Sequence, residues 1–318
     1  MKTIVTGGAG FIGSHLVKRL MDEGREVAVV DDFSRGRLEN LADLGVRLPG
    51  KPGPVDLTDY SQTLKALKGA DVVFHMAARV GSLEYLHGSD WNELTALQLN
   101  VTIDTNVFRA CLEHKVKKIV YASSVSVYPM DTQHAYGLVL SESDMSRINP
   151  EGGYGWAKLL GEIQLQWMRN ASIGIARIFN VYGEGEAPDK NAHVVPALAR
   201  KAVLYPSEEF RVFGDGKQTR DFLYVSDAVD ALLKLEAKAT WPPVIVNIGS
   251  GEVVTIKQLV DTVVKVSGKK ITPVYDPAKP VGPLSRTADI TRTKSVLGWQ
   301  PKVSLEDGLA RMMKWVGR

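Results

Sequence analysis

The first strand of this chain runs straight into glycine. Thr3-Ile4-Val5-Thr6 is followed by Gly7-Gly8-Ala9-Gly10-Phe11-Ile12-Gly13, and then by the amphipathic run Ser14-His15-Leu16-Val17-Lys18-Arg19-Leu20. A strand, a glycine turn and a helix N-terminus in that order form a socket for a diphosphate. The glycines at 7, 10 and 13 let backbone approach the phosphates, and the helix's free N–H groups and dipole face the negative charge. Val27-Ala28-Val29-Val30 reads as a second buried strand ending in Asp31-Asp32, about 20 residues beyond the glycines, where a carboxylate grips the ribose hydroxyls of an adenosine and repels a 2′-phosphate. The start of the chain is therefore predicted to bind NAD. Arg35 keeps NADP open as an alternative, with two acidic residues ahead of it.

The alternation continues. Ala70 to Met76 is a short apolar run ending in Ala77-Ala78, Asn100 to His114 has helical spacing, Lys118 to Ala122 is another buried strand, Tyr154 to Met168 is helical, and Gly174 to Ile178 is again a strand. This order predicts an α/β fold, a doubly wound parallel (Rossmann) sheet covered by helices on both faces. Ligands bind beyond the carboxyl ends of such strands. The small and polar clusters expected to follow strands there are Gly7 to Gly13, Asp31-Asp32, Asp56, Ala77 to Arg79, Ser123-Ser124 and Asn180. After about residue 180 the pattern loosens, and Pro273, Pro277, Pro280 and Pro283 exclude a regular helix or central strand there. The expected division is a dinucleotide-binding domain over 1–180 and a smaller, mainly substrate-binding lobe over 181–318, with segments returning to the sheet.

A formal net charge of +3 and scattered aromatics give no nucleic-acid footprint. Cys111 is the only cysteine, which excludes an internal disulfide and a cysteine-rich metal site; no metal is expected. No apolar run reaches membrane-spanning length, and a strand beginning at residue 3 leaves no room for a signal peptide, so a cytoplasmic enzyme is the expectation.

Tyr154 and Lys158 stand four residues apart, on one face of a helix. A free tyrosine titrates near about 10, too high for a base at neutral pH; a neighbouring ammonium favours the phenolate. With Ser123-Ser124 upstream, these residues resemble the site of an extended short-chain dehydrogenase/reductase of the nucleotide-sugar epimerase and dehydratase family. The resemblance runs through Thr6 to Gly13, Asp56-Leu57, Ala122 to Tyr128, Arg177 to Gly183, Gly214 to Phe222 and Leu297 to Pro301. It implies that Tyr154 takes a proton from a sugar hydroxyl, that Lys158 binds the nicotinamide ribose and lowers the tyrosine's pKa, and that Ser124 bonds the reacting oxygen. It further implies that Phe11 and Ile12 present backbone to the cofactor diphosphate, that Asp56 and Leu57 border the adenine, and that Ala77, Ala78 and Arg79 line the cofactor. Asn180, Arg220 and Arg286 match positions that hold the substrate's nucleotide diphosphate, a task that suits arginine's planar fork.

Ala77 to Gly81, Asn191 to Leu198 and Lys279 to Pro283 resemble the GDP-mannose 3,5-epimerase and GDP-fucose synthase branches, which carry a catalytic cysteine where this chain has Ser126 and a histidine or lysine where it has His193. A serine hydroxyl has no accessible pKa and needs an adjacent base. The dehydratase branch carries an Asp-Glu pair where this chain has Val125-Ser126. The simplest chemistry for the site is reversible oxidation at sugar C4, a 4-epimerase. A 3- or 5-epimerase using His193, a 4-dehydrogenase, a decarboxylase and a non-catalytic dinucleotide-binding protein are the alternatives. The helices over 100–114 and 154–168 match those that pair into a homodimer in the family, with Leu160, Ile163 and Trp167 at helical spacing; their other reading is packing on the sheet.

Overall fold

The computed structural model describes residues 1–46, 48, 52–81, 86–189, 192–279 and 281–317. β1 (Lys2–Thr6) passes through the glycine turn into α1 (Phe11–Asp22), and β2 (Glu26–Val30) returns parallel to β1. α2 (Leu38–Asp43) and α3 (Tyr60–Ala66) lead to β3 (Val72–His75), α4 (Asp90–Glu113) and β4 (Lys118–Ser124). The two-residue β5 (Val139–Leu140), α5 (Gly152–Leu165) and β6 (Ser172–Ile178) follow. Then come β7 (Asn180–Tyr182), α6 (Val194–Leu204), β8 (Arg211–Phe213), β9 (Thr219–Arg220), β10 (Phe222–Tyr224), α7 (Val225–Lys238) and β11 (Val244–Ile248). The chain ends through β12 (Val254–Thr255), α8 (Ile256–Ser267), β13 (Val274–Asp276), β14 (Ser285–Ala288), α9 (Thr291–Leu297) and α10 (Leu305–Val316).

Six parallel strands form the central sheet in the order β11-β6-β4-β3-β1-β2. Adjacent residues along a strand point to opposite faces. Val5, Phe74, Val120, Ala176 and Val246 therefore pack under α1 and α7, while Ile4, Val73, Ile119 and Ile175 pack under α4. β11 joins the sheet from the second half of the chain. β5, from the first half, crosses to the second and pairs parallel with β14 in a small sheet of order β12-β9-β14-β5. A third core, with Val195, Leu198, Phe210, Leu259, Val263 and Met312, holds the second lobe together.

The chain moves outward from β1 to β2 and then back to β3 on β1's other side. That reversal opens a crevice at the carboxyl ends of β1 and β3, where ligands bind in open α/β sheets. Three expectations are corrected. The helix expected from Asn100 begins ten residues earlier, at Asp90, and the helix expected to reach Met168 ends at Leu165. Asp56 follows no strand: it sits in a loop whose Val55 N–H donates to the Asp31 carbonyl at 2.9 Å, and that bond carries it to the sheet edge. The proline-rich tail contributes only the three-residue β13, paired with β8 outside the main sheet; Pro280 lies outside the described residues.

The glycine turn is close-packed on the loop after β3. Gly7 has φ +66°, and a Cβ there would lie 2.8 Å from Ala77 N; a Cβ on Gly13 would lie 2.0 Å from Gly7 O. Gly13→Ala is expected to cost about 1–3 kcal/mol of stability as the turn is forced open, and to weaken NAD binding with it. Urea denaturation with an unchanged midpoint would show that the turn has slack to spare.

Candidate active site

The crevice widens into a cleft of about 1540 Å³ lined by both lobes. Pockets for one compact ligand span roughly 300–1,000 Å³, so this one has room for two extended molecules end to end.

At the β1–β2 end, the N-cap of α1 is Gly10, which supplies no side-chain cap, and the first helical N–H groups, on Phe11 and Ile12, have no intrahelical partner. Asp31 is buried here. Its Oδ2 accepts from Ala9 N at 3.0 Å and its Oδ1 from Phe33 N at 2.9 Å. Burial pushes its carboxyl up, partly offset by those N–H donors. Asp32 instead turns to solvent and caps Ser34, accepting from its N at 2.8 Å and its Oγ at 2.7 Å. Asp56 accepts from Thr58 N and Oγ1 and, with Leu57, borders the cleft. Ala77, Ala78 and Arg79 form its wall beyond β3. The backbone of Arg79 is clamped by the buried Asn100: its N donates to Oδ1 at 2.8 Å and its carbonyl accepts from Nδ2 at 3.1 Å.

At the centre, the carboxyl end of β4 and the first turns of α5 bring Ser124, Tyr154 and Lys158 into one buried corner. Burial pushes the Tyr154 phenol above its ordinary value, against a hydrogen bond with Ser124 that pulls it down; the charges of Asp104 and Glu151 add to the rise. Lys158 Nζ lies 5.9 Å from the Tyr154 ring centroid and 4.7 Å from that of Tyr121. Burial, not Lys158, sets the direction of the phenol's shift here. Lys158 itself is pulled down by burial, against the charges of Asp104 and Glu162. Its Nζ is buried without a hydrogen-bond partner. A buried ammonium with three unspent donors fits the ribose hydroxyls of a dinucleotide. With the glycine cradle, the open α1 N-terminus and Asp31, the residues present fit NAD.

Beneath this corner lie two buried networks that sequence reasoning missed. Asp104 accepts from the Tyr121 hydroxyl and meets His75 Nε2 at 3.0 Å, while His75 Nδ1 meets Thr6 Oγ1 at 2.7 Å. Glu162 takes both forks of Arg177, at 3.0 and 2.8 Å, and the Ser123 hydroxyl. Their only sequence signal is a polar residue at a core position of a helix or strand.

On the second lobe, Arg220 of β9 and Arg286 of β14 are register partners on adjacent parallel strands. Two like charges side by side are destabilising, and burial together with Arg286 lowers the Arg220 guanidinium to about 10. An anion placed between them would offset both the burial and the repulsion. Asn180 donates its Nδ2 to the Asp221 carbonyl at 2.8 Å, so its amide is partly spent on the backbone between β9 and β10. Arg286 also pairs with Glu151 at 2.7 Å, and Glu151 accepts from Ser126 Oγ at 2.9 Å. Burial raises Glu151, but the charge and hydrogen bond of Arg286 outweigh it and hold the carboxyl below its usual range. Glu151 is a further cleft residue that the sequence did not disclose.

His193, at the N-cap of α6, is half-exposed and contacts the buried Glu186 through Nδ1 at 2.6 Å. Burial lowers its imidazole, but the Glu186 hydrogen bond and charge outweigh that and raise it, while the charge of Arg35 opposes them. Asn191, part of the stretch that resembles the GDP-sugar branches, lies outside the described residues. Among those residues no helix is long and apolar enough to cross a membrane.

A family model described as "NAD dependent epimerase/dehydratase family" matches residues 3–249. The chain belongs to that family. It is thereby an NAD-dependent enzyme of nucleotide-sugar type, as the glycine turn and the Ser124/Tyr154/Lys158 corner lead one to expect. UDP-glucose 4-epimerase of Mycolicibacterium smegmatis is 34% identical over 321 residues, covering 99% of this chain and 98% of that protein. GDP-mannose 3,5-epimerase 1 of Oryza sativa subsp. japonica is 29% identical, covering 99% and 82%. The crystal structure of UDP-glucose 4-epimerase from Thermotoga maritima with UDP-glucose superimposes with a TM-score of 0.86 at 30% identity, covering 99% and 98%.

The His193–Glu186 pair has a defined pH signature. A histidine raised in the folded protein lends stability below its unfolded pKa of about 6.5, and that stability is lost as pH rises through the folded value. An NMR titration is expected to place the His193 midpoint above that of a free histidine, and Glu186→Gln to bring it down. A wild-type midpoint at or below the free value would remove the ion pair.

Proposed function

We propose that this protein is a nucleotide-diphosphate-sugar epimerase working by transient oxidation at sugar C4. The observation that carries the reading is the buried corner where Ser124, Tyr154 and the unpartnered Lys158 ammonium meet. NAD, when bound, supplies the chemistry of taking a hydride from the sugar carbon and returning it. Gly7, Gly10, Gly13 and the N–H groups of Phe11 and Ile12 hold its diphosphate, and Asp31, not the outward-turned Asp32, holds the adenosine ribose. Asp56, Leu57, Ala77, Ala78 and Arg79 line its length. Tyr154 takes the C4 hydroxyl proton and later gives one back, Ser124 hydrogen-bonds the same oxygen, and Lys158 spends its donors on the nicotinamide ribose. A second positive charge close to the phenol offsets the burial that keeps Tyr154 protonated in the free site.

Arg220 and Arg286 hold the substrate diphosphate, with Asn180 beside them. His193 joins them as a cation. Its pairing with Glu186 favours the imidazolium, a form that suits a phosphate oxygen and is a poor base for a sugar C–H. Ser126 has the adjacent carboxylate that such a role demands, but Arg286 holds Glu151 too acidic to draw a proton through the serine. Neither group is poised for enolisation at C3 or C5, which supports C4 chemistry over the 3- or 5-epimerase alternative.

The second copy of this chain is the partner proposed for the outer face of α5. Leu160, Ile163 and Trp167 do not pack on the sheet; they are 37%, 44% and 74% exposed, and Trp91 and Leu94 of the neighbouring α4 are exposed as well. A two-helix apolar face of this kind is covered when the same face of a second copy meets it about a twofold axis. Sedimentation is expected to give a dimer, and Ile163→Glu with Trp167→Glu a folded monomer. A wild-type monomer at micromolar concentration would overturn this assignment.

The reaction is tested by incubating NAD-loaded protein with UDP-, GDP-, CDP- and dTDP-sugars in D2O and reading products by NMR. Inversion at C4 of at least one sugar is expected, with no solvent deuterium at C3 or C5, and Tyr154→Phe should lower turnover by at least about a hundredfold. Deuterium at one of those carbons, abolished by His193→Ala, would make the protein a single-centre epimerase with His193 as base. Deuterium at both would overturn the C4 reading.

A further inference from the structure

Ser126 is held more tightly than its place on a short 3-10 turn requires. Its N donates to Ser124 Oγ at 3.1 Å, its carbonyl accepts from Glu151 N at 2.9 Å, and its hydroxyl donates to Glu151 Oε2 at 2.9 Å. Gly155, one turn along α5, passes so close that a Cβ there would lie 2.4 Å from Ser126 O. The serine thus has a fixed backbone and a committed proton. Its hydroxyl lines the cleft with only lone pairs left to offer.

The acceptor that holds that proton is itself fixed. Glu151 Oε2 is shared with Arg286 Nη2 at 2.7 Å, and Arg286 Nε is spent on Gln133 Oε1 at 2.9 Å. Nε and Nη2 of the arginine are thus spent on this wall of the cleft, and only Nη1 is left to reach toward the substrate diphosphate. Glu151 also stands one turn before Tyr154, and its charge is felt at the phenol, so this wall adjoins the reacting carbon.

We propose that Glu151 is a specificity-determining positioning residue: by taking the Ser126 proton it makes the serine an obligate acceptor, and so selects a neutral nucleotide hexose over a nucleotide hexuronate. This rests on the reading that the sugar sits against Ser124 and Tyr154. A sugar hydroxyl placed at Ser126 has a proton to give and completes the bond. A sugar carboxylate has none; it would set its lone pairs against those of Ser126 and its charge against Glu151, in a site with little water to screen either. Sites built around one hydrogen bond discriminate strongly because the mismatched ligand leaves buried polar groups unpaired.

The test is calorimetric titration of the NAD-loaded protein with two pairs, UDP-glucose against UDP-glucuronate and GDP-mannose against GDP-mannuronate, with C4 inversion followed in parallel by NMR. In the nucleotide series that binds, the hexose is expected to bind at least about tenfold more tightly. Glu151→Gln should narrow that ratio to about threefold or less, because its amide can donate to Ser126 and turn the hydroxyl outward as a donor. Ser126→Ala, which keeps Glu151 and its arginine, should weaken hexose binding without weakening hexuronate binding, and so narrow the ratio; it carries the test if the glutamine variant does not fold. Equal or tighter hexuronate binding by the wild type, a ratio unmoved by both variants, or no binding in either series overturns the proposal. A hexose preference of the expected size without inversion at C4 supports it and overturns the epimerase reading alone.

Discussion

The buried ammonium of Lys158 sets the terms for the layer around it. An unpaired charge in a protein interior is costly, and this one makes no hydrogen bond of its own. Burial pulls its pKa down, and the charge is tolerated because Asp104 and Glu162 lie close enough to work against that burial. Each carboxylate is in turn tied down: Asp104 by Tyr121 and His75, Glu162 by Arg177 and Ser123. Burial lowers His75 and raises Tyr121, which keeps both neutral. What remains is two cations, Lys158 and Arg177, set against two anions, a balanced lattice locked into β3, β4, α4, α5 and β6. Every member is fixed except the one set of donors on Lys158, which faces the cleft.

Seen from that lattice, the cleft has a consistent polarity. One end offers backbone N–H groups and a single inward carboxylate, the other a pair of arginines forced side by side by strand register. The centre offers a phenol, a hydroxyl and an ammonium. Each end is incomplete by itself: α1 lacks a cap, and Arg220 carries a pKa depressed by burial and by Arg286 beside it. Both deficits are cured by anions. A diphosphate at each end, with the sugar and the ring between them, is the arrangement that satisfies the whole length.

The parts of this site that were legible in the sequence share one property: their geometry is local. Tyr154 and Lys158 are one helical turn apart, and Gly7 to Gly13 form one turn, so spacing alone places them. Glu151 and Arg286 are far apart in the chain, and Arg286 is placed by β14, which lies between β9 and β5; two- to four-residue strands carry no periodicity to read. Asp104 was hidden differently, since a single carboxylate on a long helix looks like a solvated position until the Tyr121 hydroxyl is seen to approach it. The early start of α4 was obscured by exposed Trp91 and Leu94, which blur the apolar stripe. Its cap was nevertheless written in the chain, where Ser89 accepts from Asn92 N with Asp90 and Glu93 in the first turn.

The same two helices link the site to the outer surface. α5 begins with no side-chain cap of its own, and Glu93 of α4 reaches across to accept from Gly153 N while its other oxygen holds His87 at 2.6 Å. The first turn of α5 carries Tyr154 inward; the following turns alternate Lys158 and Glu162 inward with Leu160 and Ile163 outward. A residue that turns outward is neighbour, by one peptide, to one that turns inward. Any force that rotates α5 to improve its outer packing would therefore move the phenol and the ammonium against β4. A second copy seated on the outer face, as proposed above, would fix that rotation, and association and site geometry would then be one constraint on one helix.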